Sequence, residues 1–228
     1  MVLNETMYKK TSKYLIFLQN TLTLPQRNTI MDIEALTQEA IGLLERMVSL
    51  PSVSREEKEV ADLLENFMKE RGKTPCRTGH NLWCISPFYR TGRPTLLLNA
   101  HIDTVKPAAS WTRDPFRPTR EGERIYGLGT NDDGASVVAL WQAFCTLSGK
   151  EQPYNLIFLA SCEEEVSGKN GIESVLPLLP HIDLALVGEP TGMQPAIAEK
   201  GLMVLDVTAH GKSGHAARNE GKTPFTKP

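Results

Sequence analysis

Apolar side chains recur at helical spacing in two segments near the start of the chain. Residues 32–50 place them on one face, and Pro51 follows, so the pattern predicts a helix that ends before the proline. A second amphipathic helix is predicted between Ser54 and Gly72. Glu57 follows Ser54 at the spacing of a capping box, and Gly72 is a suitable C-terminal stop.

Short apolar runs alternate with helical segments further along the chain. The segments "NLWCIS", "TLLLNA", "NLIFLAS" and "DLALVGE" predict strands, and the last three are expected to be buried on both faces because they are continuously apolar. Residues 136–147 predict a helix, and a further helix is expected after Asn170. This alternation predicts an α/β fold in which helices flank a mostly parallel sheet.

The composition narrows the class of protein. The chain has 228 residues and a net charge of −2, with 40% hydrophobic and 23% charged residues, which is typical of a soluble globular protein. Near-neutral charge argues against nucleic-acid binding, and the apolar runs are shorter than the ~20 residues of a membrane-spanning helix. Four cysteines without C-x-x-C spacing favour a reduced chain in the cytoplasm.

Polar side chains follow three of the predicted strands. His101 and Asp103 follow one, the glutamates at 163–165 follow another, and Glu189 follows a third. In open α/β sheets, ligands bind outside the carboxyl ends of the strands. One histidine with several carboxylates is a donor set suited to zinc or a similar dication, and its richness in carboxylate favours two metals that share a bridging carboxylate.

Each of these motifs also has a simpler interpretation. His101 alone fits a locally hydrogen-bonded loop residue, and Glu189 alone fits an ordinary turn residue. In the glycine-rich "GLGTNDDGAS", either Asp132 or Asp133 fits the N-cap of the following helix. The glutamates at 163–165 fit a solvated loop, although crowded carboxylates raise one another's pKa and a dication would neutralise them.

In order and spacing, the motifs "NAHIDTV", "GTNDDGA", "SCEEEV", "LVGEPTG" and "GKSGHAARNEG" resemble the acetylornithine deacetylase / succinyl-diaminopimelate desuccinylase family. These are co-catalytic zinc amidohydrolases related to aminoacylases, carboxypeptidases, and di- and tripeptidases. The resemblance runs from about residue 32 to residue 221. It implies a zinc exopeptidase-like catalytic domain, interrupted by an inserted α+β lid or dimerisation domain.

The resemblance also implies a set of metal ligands. By motif position, His101 and Glu189 bind the first metal, Asp132 bridges the two metals, and Glu165 binds the second. Asp133 is the alternative bridging residue. Two zinc ions per site are expected, and cobalt or manganese would also be acceptable to these ligands.

Three further residues receive catalytic roles from the resemblance. Asp103 orients the metal-binding imidazole, Glu164 is the general base, and His215 is the lid histidine that reaches a dimer partner's active site and stabilises the oxyanion. The implied reaction is hydrolysis of a small N-acyl amino acid, N-acetylornithine or N-succinylornithine in arginine biosynthesis, by a homodimer. The alternatives are a related desuccinylase or di/tripeptidase, or a catalytically incompetent fragment.

The same alignment of motifs divides the chain. Residues 1–30 are expected to be a non-native extension, 31–195 the N-terminal portion of the catalytic domain, and 196–221 the start of the lid. Residues 222–228 fit a frameshifted tail, because a single-base deletion converts a family-like continuation into "KTPFTKP". The chain is therefore expected to be C-terminally truncated, to lack a late histidine ligand, and to be inactive alone.

Overall fold

The computed structural model describes residues 32–198 and, beyond them, the single positions 201, 208 and 210. These residues contain the alternation of helices and strands that the sequence pattern predicts. Within this part of the chain, no helix is both long and apolar enough to cross a membrane.

The chain divides into two compact units, Met1–Pro190 and Thr191–Pro228. All of the helices and strands named below lie in the first unit. The predicted extension at 1–30, most of the predicted lid segment at 196–221, and the predicted tail at 222–228 lie outside the described residues. These three assignments therefore stay predictions.

The first predicted helix is confirmed as α1, which spans Ile33–Val48. Asp32 caps it, since its carboxylate accepts a hydrogen bond from the N–H of Ala35 at 3.0 Å. Ser49 is the C-cap of the helix and lies two residues before Pro51. Its buried residues recur at helical spacing and face the core: Leu43, Leu44, Met47 and Val48.

The second helix, α2 (Lys58–Glu70), is confirmed, but its predicted capping box is wrong. Neither partner caps the helix. The Ser54 hydroxyl instead donates to Asp103 at 2.8 Å, and the Glu57 side chain is completely buried. Both side chains form hydrogen bonds with distant parts of the chain, and these bonds replace the local cap. The expected stop at Gly72 is confirmed by its left-handed φ of 69°.

Five of the strands form one sheet in the order β1-β2-β6-β3-β7. The parallel part comprises β6, β3 and β7, while β1 and β2 add antiparallel strands at one side. This mixed sheet confirms the predicted α/β class. β4 and β5 pair separately as an antiparallel ribbon. The strand bounds are β1 Cys76–Thr78, β2 Asn81–Ile85, β3 Thr95–His101, β4 Thr119–Glu121, β5 Arg124–Tyr126, β6 Asn155–Ser161 and β7 Leu184–Val187.

Helices cover the sheet on both faces. The helix predicted at 136–147 is α3 (Ala135–Leu147), and the one expected after Asn170 is the short α4 (Ile172–Val175), which a 3₁₀ turn at Leu176–Leu178 follows. The larger core lies beneath α1, α2 and α3 and is built around four aromatic rings 5.3–6.4 Å apart: Phe67, Trp141, Phe144 and Phe158. The smaller core lies on the opposite face and includes Val175 of α4.

The expectation of burial on both faces holds for β3 and β6 but is wrong for β7. Leu186 and Val187 are 52% and 56% exposed. Within the described residues, β7 pairs only with β3 and forms an edge of the sheet. A continuous apolar run reports hydrophobicity rather than position in the sheet, so the sequence pattern could not separate this edge strand from the two central ones.

Candidate metal centre and active site

Three parallel strands deliver polar side chains to one edge of the sheet. His101 is the last residue of β3 and is in register with Ser161, the last residue of β6. Glu163 follows β6 after one intervening residue, and Glu189 follows β7 after Gly188. Because β3 lies between β6 and β7, the predicted convergence of strand ends is confirmed.

His101, Asp132 and Glu189 form the tightest group of candidate ligands. Their ligand atoms all lie within 4.8 Å of one another. The Nε2 atom of His101 is 3.1 Å from a carboxylate oxygen of Asp132. The imidazole is 2% exposed, whereas both carboxylates are open to solvent. One nitrogen and two carboxylate donors facing an accessible edge fit a borderline dication such as Zn²⁺.

The second nitrogen of His101 faces Asp103. Its Nδ1 lies 3.0 Å from the backbone oxygen of Asp103 and 3.4 Å from the carboxylate. Burial alone would lower the pKa of His101, but the hydrogen bond and charge of Asp103, with the charges of Asp133 and Glu164, raise the pKa to about 10. Asp103 therefore lies against the ring nitrogen that faces away from Asp132, and its orienting role stays a prediction.

Asp103 also holds the turn that follows β6. One carboxylate oxygen accepts the N–H of Glu164 at 3.0 Å, and the other accepts the N–H of Glu165 at 3.1 Å and the hydroxyl of Ser54 at 2.8 Å. Burial raises the pKa of Asp103, but its hydrogen bonds, led by those from His101 and Ser54, outweigh this effect and lower the pKa. Asp103 is therefore an ionised, buried connector between β3 and the turn.

The three consecutive glutamates point in different directions. Glu163 is buried, and its carboxylate accepts a hydrogen bond from the side chain of Asn170 at 2.8 Å. Glu164 is exposed, and its carboxylate lies 3.9 Å from Nε2 of His101. Glu165 is partly buried and is not a member of the 4.8 Å group. The turn therefore separates the buried Glu163 from Glu164, whose carboxylate approaches His101.

Burial, followed by the charges of neighbouring carboxylates, raises the pKa of Glu165 and of Glu189. The pKa of Glu165 is raised by burial and by the charges of Asp132, Glu164 and Asp103. The pKa of Glu189 is raised by burial and by Glu164 and Asp132, against the opposing charge of His101. A bound dication would reverse this repulsion, so the electrostatics fit a metal centre.

The two adjacent aspartates have different surroundings. Asp132 faces the candidate ligands, whereas Asp133 is 1% exposed and accepts a hydrogen bond from the backbone N–H of His101 at 3.1 Å. Burial raises the pKa of Asp133 to about 7, against a hydrogen bond from Ser136 and the charge of His101. On this geometry, Asp132 is available to a metal and Asp133 supports the end of β3.

A cleft of about 290 Å³ opens beside Glu164. Its lining includes Asn99 and Ser161 from the strand ends, together with Glu163 and Ile172. The cleft therefore lies next to the residue predicted to be the general base.

His215, the predicted oxyanion residue, lies outside the described residues. The sequence analysis missed the contribution of Ser54 and Glu57 to the site, because their spacing was interpreted as a capping box. No local pattern could show that their partners lie 49 and 106 residues away, at Asp103 and Glu163.

Comparisons with known proteins find relatives of this chain. The profile of "Peptidase family M20/M25/M40" matches residues 97–220, which is more than half of the chain. An acetylornithine deacetylase from Aliivibrio salmonicida is 35% identical over 130 residues, covering 56% of this chain and 34% of that protein. The chain thus spans about a third of the length of this curated relative.

Solved structures show the same fold. An M20 family metallo-carboxypeptidase, Sso-CP2 from Sulfolobus solfataricus, superposes with a TM-score of 0.54 at 26% identity, over 66% of this chain and 37% of that chain. The Bacillus subtilis YXEP protein, described as a dinuclear metal-binding peptidase of the M20 family, gives a TM-score of 0.53 at 18% identity, over 68% and 43% of the two chains.

Proposed function

Because the chain belongs to peptidase family M20/M25/M40, we propose that it forms the catalytic unit of a metal-dependent amidohydrolase. The observation that carries the proposal is the approach of His101, Asp132 and Glu189 to within 4.8 Å of one another at the carboxyl edge of the sheet. This edge is where open α/β sheets bind ligands.

Two zinc ions are the proposed cofactors. His101 and Glu189 would hold the first, Glu165 would hold the second, and Asp132 would be the ligand that the two share; cobalt and manganese are acceptable to the same donors. The raised pKa of Glu165, caused by burial and then by the charge of Asp132, supports placing these two carboxylates around a shared cation. When bound, zinc supplies Lewis acidity, which polarises an amide carbonyl and acidifies water.

The residues of the chain carry the remaining steps. Glu164 accepts a proton from the attacking water and returns it to the leaving amine, since its carboxylate is exposed and lies 3.9 Å from Nε2 of His101. Asp103 keeps the imidazole of His101 in its ligand orientation. His215 is proposed to stabilise the oxyanion from a partner subunit. The products are an amino acid and a carboxylic acid.

The proposed substrate is N-acetylornithine, or N-succinylornithine, in arginine biosynthesis. The 35% identity to an acetylornithine deacetylase supports this choice, and the cleft beside Glu164 would receive part of a small substrate. A related desuccinylase or di/tripeptidase is the alternative activity, and a catalytically incompetent fragment is the alternative of a different class. A cytoplasmic homodimer is proposed from the family resemblance, and the free thiols of all four cysteines support a reducing compartment.

Metal binding tests the first part of this proposal. The 228-residue chain is freed of metal with a chelator and titrated with Zn²⁺ in a calorimeter. We expect binding that weakens by at least about tenfold in Asp132→Asn and Glu189→Gln, since each loses an anionic ligand. Glu123→Gln, the same change at an exposed position, is the matched control. Binding that is equal in all four proteins would contradict the assigned site.

Hydrolysis tests the substrate. Release of acetate and ornithine from N-acetylornithine is compared with cleavage of N-succinyl-diaminopimelate and of a dipeptide. The assay uses the 228-residue chain and any longer product that the gene encodes past codon 221. Preference for N-acetylornithine supports the proposal, preference for a peptide favours the peptidase alternative, and metal binding without turnover in any product favours the incompetent fragment. Glu164→Gln should abolish turnover while leaving metal bound.

A further inference from the structure

Glu57 is a buried carboxylate that no step of the proposed reaction uses. It is 0% exposed. One of its oxygens accepts the backbone N–H groups of Arg55 at 2.7 Å and of Glu163 at 3.1 Å, and the other lies 2.7 Å from Nδ1 of His80. It occupies the N-cap position of α2 but makes no side-chain cap bond. Its contacts therefore serve the attachment of a distant turn rather than the helix.

The turn after β6 is held through three consecutive backbone N–H groups. The N–H of Glu163 donates to Glu57, whereas those of Glu164 and Glu165 donate to Asp103. Glu163 has a left-handed φ of 54°, which is uncommon for a residue with a side chain. Successive N–H groups in such a turn form a concave anion-binding surface, and here two buried carboxylates fill it.

The two carboxylates do different things. Asp103 contacts the imidazole of His101, so it has a direct connection with the metal centre. Glu57 contacts this part of the site through the N–H of Glu163, and the next two residues in the chain are the proposed base Glu164 and the proposed ligand Glu165. The hydrogen bond to Glu57 fixes the backbone N–H of Glu163, the first residue of the turn. It thereby constrains the side chains of Glu164 and Glu165, which come next in the chain.

The far side of Glu163 is also closely packed. A Cβ atom at Gly168 would lie 1.9 Å from a carboxylate oxygen of Glu163, and the N–H of Gly168 donates to the backbone oxygen of Glu163 at 2.8 Å. Asn170 donates to the same carboxylate at 2.8 Å. With this side filled, the position of the turn depends on the hydrogen bond from Glu163 to Glu57 together with those from Glu164 and Glu165 to Asp103.

From these contacts we propose that Glu57 is a positioning residue for Glu164 and Glu165. This inference rests on the proposed function, because it assigns Glu57 a role in the same site. Its loss should displace the proposed base and the proposed ligand of the second metal. The group formed by His101, Asp132 and Glu189 should remain in place, because those residues belong to other segments of the chain.

The first test follows the turn itself in the metal-free 228-residue chain. Amide hydrogen exchange, resolved by residue, is measured for wild type, Glu57→Ala, Glu57→Gln and the exposed control Glu59→Gln. We expect exchange of the amides at 163–165 to be faster by about tenfold or more in Glu57→Ala, while the β3–β6 ladder stays protected. Glu57→Gln keeps an acceptor oxygen and should restore most of the protection. Unchanged exchange at the turn in Glu57→Ala would overturn the inference.

The second test follows the metal centre by titration with Co²⁺ and its visible absorption. The step that depends on Glu165 is identified by its loss in Glu165→Gln, and the step that depends on Glu189 by its loss in Glu189→Gln. In Glu57→Ala we expect the step that depends on Glu165 to weaken by about tenfold, as for other residues that support a metal ligand. The step that depends on Glu189 should change less than about twofold.

A control separates positioning from general loss of stability. Val175→Ala removes buried volume in the smaller core and should lower the melting temperature without a selective effect on either Co²⁺ step. Equal weakening of both steps in Glu57→Ala, or the absence of any step that depends on Glu165, would overturn this inference but not the proposed function. Failure of the wild-type chain to bind Co²⁺ at all would overturn the proposed function, and the positioning role with it.

Discussion

Replacing Asp103 with asparagine breaks one of the two hydrogen bonds that join Asp103 to the turn after β6 while conserving the shape of the side chain. The two carboxylate oxygens accept the N–H groups of Glu164 and Glu165 at 3.0 and 3.1 Å, one on each oxygen. An amide has only one acceptor oxygen, so either orientation of the asparagine places its NH₂ group against one of these donors.

The size of the effect follows from that count. Losing one hydrogen bond to a charged group and leaving a buried donor without an acceptor costs about 2–4 kcal/mol. For a domain of this size, about 2–4 °C of melting temperature is lost per kcal/mol, so Asp103→Asn should melt about 4–16 °C below wild type.

Circular dichroism during heating measures this difference in the metal-free chain. Asp114→Asn is the matched control, because Asp114 accepts a single local N–H, from Phe116 at 3.0 Å, in an exposed loop. The control should lose no more than about 0.5 kcal/mol. If Asp103→Asn melted within the error of wild type, the turn would not depend on Asp103 and the reasoning would be wrong.

The stability difference should also depend on pH. The pKa of Asp103 is held below its ordinary value of 3.8, because hydrogen bonds to the ionised carboxylate outweigh its burial. Its contribution is therefore complete above the unfolded pKa and is lost as the pH falls through the lower folded pKa. We expect the deficit of Asp103→Asn to shrink as the pH falls below 3.8, where the carboxylate becomes protonated. A deficit that grew in acid would contradict an ionised Asp103.

Two pairs of substitutions test the assignment of the adjacent aspartates and the packing around Glu163. Asp132→Asn should weaken Zn²⁺ binding at least about tenfold with little change in melting temperature. Asp133→Asn should mainly change stability, because Asp133 is buried and accepts the backbone N–H of His101. Calorimetry and thermal melting on both variants would show the reverse if the assignment were exchanged. Gly168→Ala should destabilise by about 1–3 kcal/mol because its Cβ would meet the Glu163 side chain at 1.9–2.5 Å. Gly42→Ala, with open space in α1, should stabilise by about 0.5–1 kcal/mol; urea unfolding that ranked the two alanines equally would refute the packing at Gly168.

The features that the sequence predicted well are those that depend on local periodicity. The helical spacing in α1 and the apolar runs of β3 and β6 reflect burial, which a one-dimensional pattern records directly. The placement of His101 at the end of β3 and of Glu189 just after β7 followed from the same boundaries, because parallel strands must bring their carboxyl ends to one edge.

The features that could not be predicted from the sequence depend on residues distant in the chain. Ser54 and Glu57 have the local spacing of a helix cap, yet they bind Asp103 and the turn after β6, which are distant in the chain. Motif position favoured Asp132 over Asp133, but the different surroundings of these two aspartates depend on the backbone path through the turn, which local sequence does not encode. The exposure of β7 depends on its place at a sheet edge, which an apolar run does not encode.

Anomalous diffraction from a crystal of the chain grown with Zn²⁺ would test the central claim most directly, because it locates the metal without reference to activity. The account predicts a zinc peak about 2.0–2.2 Å from Nε2 of His101 and from carboxylate oxygens of Asp132 and Glu189. An ordered site with no peak between these three residues, or a peak held by other side chains instead, would contradict it.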